Sequence, residues 1–305
     1  MPAKSIDAPD QIVQRLRTLA RESSDLKNAA LLYEAILPVL RDADLHVGDV
    51  LLTPEQVYEK MEKGFYLLDG LDLELDIDAV QEIMIKLARA IENINIQNRT
   101  RTFRLPWKQT SDVSGTAIHR LLQALEENRL DLSALLQHIA ARDRPRIDKE
   151  MSALGLDPSL VTVLAQNALK PVLHALRKQL EPLARGISWD RGECYVCGAV
   201  ATLAELQEND QVKHLRCGSC GADWRFRRLK CMYCGNEDHN TLRSLFAEQR
   251  KRMQVEACDL CHGYLKIISS FFPTPPEQLA IEDLATLHLD YIAQEKGYSR
   301  REALQ

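Results

Sequence analysis

The sequence predicts an α+β protein: an all-helical N-terminal domain, two tandem zinc-ribbon-like metal-binding modules, and a C-terminal helix. Three observations predict it. All eight cysteines of the 305 residues fall from Cys194 onward, and each belongs to a Cys-x-x-Cys pair. Ahead of them, apolar residues recur at i, i+3, i+4 and i+7, the spacing of a helix face. After Gly186 the hydrophilic Ser188–Glu193 marks a composition shift, followed by short apolar pieces between glycine-bearing turns, which suit β-hairpins. The boundaries follow: 1–186 for the helical domain, 187–226 and 227–272 for the two modules, 273–305 for the C-terminal helix and tail.

In chain order, Ile12, Leu16 and Leu19 share a first helix face. A second helix follows Asp25 with Leu26, Ala30 and Tyr33, its end disturbed by Pro38. Asp76 or Asp78 can cap a third, which carries Val80, Ile83, Met84, Leu87, Ile91 and Ile94. Asn98–Asp112 breaks the period and reads as a loop. Ile118, Leu121, Leu122 and Leu125 resume it, then Leu132, Leu135, Leu136 and Ile139. Asp157-Pro158 is an N-cap followed by proline at the first helical position, ahead of Leu160, Val163, Leu164 and Ala168; Pro171 kinks or breaks that helix. At the other end, Pro275 and Pro276 open a helix lined by Leu284, Leu287, His288 and Tyr291, with Gly297 as its C-cap.

Composition narrows the class. Charged residues make up 27% and the net charge is −5, a mildly acidic balance that gives no global reason for nucleic-acid binding. No apolar run is long enough to span a membrane, and the N-terminus shows no export signal, so a cytoplasmic location is expected. In that compartment thiols stay reduced, and paired cysteines bind metal rather than form disulfides. No phosphate-cradling glycine loop, nucleophile elbow or H-E-x-x-H helix is present, so no catalytic residue is assigned and the chain is not read as an enzyme.

A Cys-x-x-Cys turn offers two thiolates to one cation, and a glycine after the second cysteine eases the turn; Gly198, Gly221 and Gly235 stand there. His262 breaks the rule, with Gly263 next. Two such turns on facing hairpins make a tetrahedral four-sulfur site, the ligand set of structural zinc or of a single iron. Three matchings of the pairs exist. The sequential one is favoured: Cys194, Cys197, Cys217 and Cys220 at one metal, Cys231, Cys234, Cys258 and Cys261 at the other. It gives both halves a hairpin-sized loop. Each half then opens with C-x-x-C-G and closes with a cysteine pair followed by an aromatic, Trp224 or Tyr264, as in a tandem duplication. Two metal ions are therefore expected, zinc and iron both fitting.

Between the modules runs DWRFRRLK. Trp224, Arg225, Arg227, Arg228 and Lys230 are candidates for a partner surface; the plainer account is charge compensation for the thiolates on a strand with one buried face. Trp107 reads as packing, His239 as solvated loop, and Asp283 and Asp290, two helical turns apart, as a solvated face.

CYVCG, LRCGSCGADWRFRRLKCMYCG and EACDLCHGYLKII, in that order and spacing, resemble the formate dehydrogenase accessory protein family, FdhE. The resemblance rests on the carboxy-terminal third; the length and the cysteine-free helical part agree with it. It implies a cytoplasmic assembly factor rather than an enzyme. The expected partner is the catalytic, molybdenum- or tungsten-containing subunit of respiratory formate dehydrogenase, met before export. It also implies rubredoxin-like sites in which all eight cysteines bind iron, so iron is favoured, and redox activity of those sites is open. His262 stands where the family more usually has glycine. The competing class is a tandem zinc-ribbon protein that binds nucleic acid through the arginine strip. The sequence leaves homodimerisation open.

Overall fold

The computed structural model describes residues 9–22, 24–43, 45, 47–97, 102–104, 112–207, 211–246 and 253–300. The chain divides into two compact units, 1–47 with 74–172, and 48–73 with 173–305.

The first unit holds α1 (Pro9–Glu22) and α2 (Ser24–Arg41); α3 (Pro54–Glu62) belongs to the second. It continues with α4 (Ile77–Gln97), a two-stranded antiparallel hairpin β1 (Thr102–Arg104) and β2 (Asp112–Ser114), α5 (Gly115–Glu126), α6 (Leu132–Ala140), α7 (Arg144–Ala153) and α8 (Pro158–Ala168). The expected loop 98–112 thus contains a strand and the start of another; Trp107 lies outside the described residues. α4 is the centre of the unit and packs on α2, α5, α6 and α8. Its six predicted apolar positions are all buried, as a continuous stripe requires. Asp76 caps it, accepting from the Ala79 N–H at 2.9 Å. Asp157 caps α8 through the Ser159 and Leu160 N–H groups. There the buried stripe is Leu160, Val161, Leu164, Ala165 and Ala168, so Val161 and not Val163 faces the core. α2 runs through Pro38 to Arg41. The helix breaks before Pro171, with α9 (Lys170–Leu180) following.

The second unit is built on one six-stranded sheet: β3 (Leu203–Gln207), β4 (Val212–Arg216), β5 (Asp223–Arg225), β6 (Leu242–Phe246), β7 (Met253–Cys258) and β8 (Tyr264–Ser270). Spatial order is β5-β4-β3-β8-β7-β6, antiparallel within each half and parallel where β3 meets β8. Corresponding strands of the two halves therefore run in the same direction, and the second half is the first translated by three strands. The expected tandem modules 187–226 and 227–272 share this one sheet. The duplication holds for cysteine turns and strands but not for the aromatics. Leu215 faces Trp224 and Glu256 faces Leu265, so Leu265 is the counterpart of Trp224 and Tyr264 lies one residue out of register, on the opposite face.

Each face of the sheet is covered. One packs Leu206, Leu215, Trp224, Leu265 and Ile267 against Val57 and Met61 of α3, Leu67, Leu180 of α9, and Ala184. These contacts are why the boundary expected at 186 does not divide the folded units: 48–73 and 173–186 complete the core of the sheet. The other face packs Leu203, Val255, Tyr264 and Ile268 against α10 (Leu279–Ala285), which follows a 3-10 turn at Pro276–Gln278, and α11 (Leu287–Glu295). The expected single tail helix is two, broken at Thr286, whose buried hydroxyl bonds the Glu282 and Asp283 carbonyls. The break turns Leu289 and Ala293 inward and leaves Tyr291 exposed. Gly297, φ 85°, ends α11 with its N–H on Gln294 O and that of Tyr298 on Ala293 O.

Under those helices Asp283, half-buried, and Asp290, buried, both meet Lys266. The fully buried Lys266 Nζ lies 3.0 Å from Asp283 Oδ1 and 2.7 Å from Asp290 Oδ2. Arg300 pairs with both carboxylates and Tyr264 donates to Asp290 at 2.6 Å. Lys266 sits at an inward position of β8, and a lysine there requires carboxylates around it. The first half has its own buried pair, Arg216 with Glu205 at 2.5 Å. Among the described residues no helix is long and apolar enough to cross a membrane.

Candidate metal centres

All four Cys-x-x-Cys pairs fold as the same turn. The N–H after the second cysteine donates to the carbonyl of the first: Gly198 to Cys194, Gly221 to Cys217, Gly235 to Cys231, His262 to Cys258, all at 2.8–3.0 Å. The first cysteine's N–H in turn bonds the carbonyl one residue further on, of Ala199, Ala222, Asn236 and Gly263. This loop needs a left-handed residue, and φ is 72°, 78° and 72° at the three glycines and 53° at His262. His262 thus adopts the conformation that glycine takes without strain. Gly263 answers a different need, since a Cβ there would lie 2.6 Å from the Tyr233 ring.

The turns meet in sequential order. Cys194 with Cys220 and Cys197 with Cys217 bring sulfurs to 3.5 and 3.6 Å; Cys231 with Cys261 and Cys234 with Cys258 bring them to 3.7 Å. Within each group of four, all sulfurs lie within 4.8 Å of one another. A disulfide needs about 2.05 Å. A tetrahedral four-sulfur site with bonds of about 2.3 Å sets its sulfurs about 3.8 Å apart, so the donor set fits zinc or iron. Backbone N–H groups of Val196, Cys220 and Gly263 point at sulfurs, and Asn236 Nδ2 donates to Cys258 Sγ at 3.4 Å.

The electrostatics say the same. Burial, with hydrogen bonds from the other three thiols, pushes Cys194 well above the ordinary thiol range; hydrogen bonds from Cys194, Cys197 and Cys220 hold Cys217 well below it. One thiolate thus forms at its neighbours' expense. Only a cation among them lets all four ionise together. In the second group burial opposes ionisation of Cys258, but the N–H of Cys261, Asn236 and the N–H of Leu260 outweigh it and leave its thiol at about 7.

The basic strip divides. Trp224 is buried, its indole N–H on the Arg191 carbonyl at 3.0 Å, and Phe226 is buried beside it. Arg227 and Lys230 converge on Asp190, and Arg227 also pairs with Glu237. Their counter-charges are carboxylates, not the cysteine sulfurs. Arg225 and Arg228 are exposed with no acidic partner among the described residues. His239 is exposed, on the rim of a cavity of about 90 Å³ that reaches Cys231 and Cys258. Sequence reading missed what covers the clusters. Tyr66 lies against Gly198 and Pro276 against Gly221, from segments that carry no local signal of it. Sequence reading also missed Asn236, which stands at the position that holds Ala199, Ala222 and Gly263 in the other turns.

Residues 229–304 match the FdhE C-terminal domain family. The "Protein FdhE homolog" of Aquifex aeolicus is 25% identical over 176 residues, 55% of this chain and 60% of that protein. That of Shewanella sp. (strain MR-4) is 35% identical over 107 residues, 34% of this chain and 35% of that one. Over its carboxy-terminal part the chain is similar to the FdhE family. The matches span less than two thirds of either relative's length. The crystal structure of the FdhE protein from Pseudomonas aeruginosa shares the fold, with a TM-score of 0.60 over 95% of this chain and 92% of that one at 22% identity.

Proposed function

We propose that this chain is a non-enzymatic accessory protein for the maturation of respiratory formate dehydrogenase. It binds the catalytic subunit and holds one metal ion, iron in preference to zinc, in each four-cysteine group. The observation that carries the reading is a pair of all-sulfur clusters built into one sheet, in a chain whose residues 229–304 match the FdhE C-terminal domain. Cys194, Cys197, Cys217 and Cys220 hold one ion and Cys231, Cys234, Cys258 and Cys261 the other. When bound, iron supplies a one-electron couple with little change of geometry, and zinc a structural tie. The chain's own contribution is to fix the four sulfurs, aim N–H donors at them and bury three of the four in each group. Anaerobic purification with metal counting tests the sites: about two irons per chain is the expected result, and no bound metal refutes it. Capture of the catalytic subunit by the tagged chain tests the partner; a catalytic subunit that matures fully without this chain refutes the role. Full activity of a zinc-only form would sink the redox part.

Arg225 and Arg228 favour a second reading, nucleic-acid binding by the strip, but the acidic partners of Arg227 and Lys230 weaken it. It requires steeply salt-dependent binding to DNA or RNA. A flat titration at low salt removes it.

A further inference from the structure

The two clusters share one turn design and differ in access. In the first, Cys194, Cys217 and Cys220 are 0% exposed, and the turns are covered by Tyr66 and Pro276. The Leu67 and Leu68 N–H groups donate to the carbonyls of Tyr195 and Val196, at 2.7 and 3.0 Å, so a segment from 48–73 is stitched across that turn. In the second, Cys231, Cys258 and Cys261 are buried as well, but Cys234 is exposed where its counterpart Cys197 is half-buried. Gly235 and His262 beside the second cluster's turns are exposed too, and Leu260 between Cys258 and Cys261 is 65% exposed. A Cβ at Gly235 would meet nothing closer than Lys230 Cε at 3.8 Å. The 90 Å³ cavity is lined by Cys231 and Cys258 and not by Cys234, whose sulfur lies 3.7 Å from that of Cys258. Of the cations that line the cavity, Lys213 pairs with Glu256, Lys230 with Asp190 and Arg243 with Asp259, which leaves Arg228 without an acidic partner among the described residues.

We propose that the second cluster is an exchange site, at which an anionic donor replaces Cys234 on the metal, while the first cluster retains its metal as long as the fold stands. The proposal rests on the reading that both clusters hold metal. Cys234 gives up its bond and leaves as a thiolate into solvent, the incoming carboxylate or thiolate forms the new bond, and no electron changes hands. Arg228, exposed and without an acidic partner among the described residues, draws the anion to the cavity.

The experiment uses the full chain loaded with two zinc ions. Zinc release to EDTA is followed in parallel with iodoacetamide alkylation mapped by peptide mass. One zinc is expected to leave about tenfold faster than the other, with Cys234 alkylated first and Cys194, Cys217 and Cys220 last, because reactivity follows thiolate exposure. Arg228→Glu slows release to EDTA about threefold or more but leaves release to the neutral chelator phenanthroline unchanged, as expected of electrostatic steering. Both zinc ions leaving in one phase, or Cys197 reacting before Cys234, overturns the exchange site and leaves the two-metal reading intact. A chain that takes up no zinc or iron overturns both.

Discussion

His262 is the non-glycine among the four left-handed turn residues, and the cost falls on the more exposed cluster. His262→Gly is therefore expected to stabilise the metal-loaded chain by roughly 0.5–1 kcal/mol, and His262→Val to destabilise it by more, because a β-branched residue at positive φ is strained. Urea midpoints at fixed metal content check the pair; equal effects would show that this φ carries no strain. Lys266 poses the opposite problem, a cation that the core cannot release. Lys266→Ala leaves Asp283 to Arg300, and Asp290 to Arg300 and the Tyr264 hydroxyl, and is expected to cost about 3–5 kcal/mol, as for one half of a buried ion pair. Burial raises the Asp283 pKa, but Lys266 and Arg300 outweigh it and hold the carboxyl well below the usual range. A depressed folded-state pKa contributes stability above the unfolded value, ~4, and loses it as pH falls below that. The wild-type chain should lose stability to acid in this window, and Lys266→Ala should lose less of it. An identical acid slope in the two would remove Asp283 as the cause.

At the scale of elements, what was legible came from periodicity and caps. The α4 stripe and the Asp157-Pro158 start of α8 are local, and a local pattern survives folding. Two helices were missed although they carry the same signals: Thr53-Pro54-Glu55-Gln56 forms a full capping box at α3, and Asp143 with Pro145 opens α7. Thr53→Ala is expected to cost about 1 kcal/mol and to raise amide exchange in α3 ahead of the sheet. Unchanged exchange there would mean that packing of Val57 and Met61 alone holds the helix. The cysteine groups were legible because spacing and chemistry coincide within each half. Sheet order was not, since a period of two names a strand's faces and not its neighbours. The Trp224–Tyr264 likeness failed by one residue, and in a strand one residue is a change of face.

For the whole molecule, the consequence is that the metal-bearing unit is discontinuous in sequence. The parallel β3–β8 junction joins residues some sixty positions apart, and the core on one face of the sheet is completed from 48–73 and 173–186. Val57, Met61, Leu67 and Leu180 are 5% exposed or less, and burying such side chains contributes roughly 1.5–3 kcal/mol each. A fragment cut at the composition boundary, 187–305, keeps every cysteine yet bares Leu206, Leu215, Trp224 and Leu265 to water. It is expected to bind a hydrophobic dye, to aggregate, and to lose the first cluster's protection from alkylation, since Tyr66 and the backbone bonds from Leu67 and Leu68 leave with the cut. Adding a 48–73 peptide to a 173–305 fragment should restore that protection, because it returns α3 and the stitching segment to the sheet. If 187–305 folds alone with both clusters as protected as in the full chain, the sheet and its metals are self-sufficient. The helical segments would then be a cover added to a finished domain rather than part of its core.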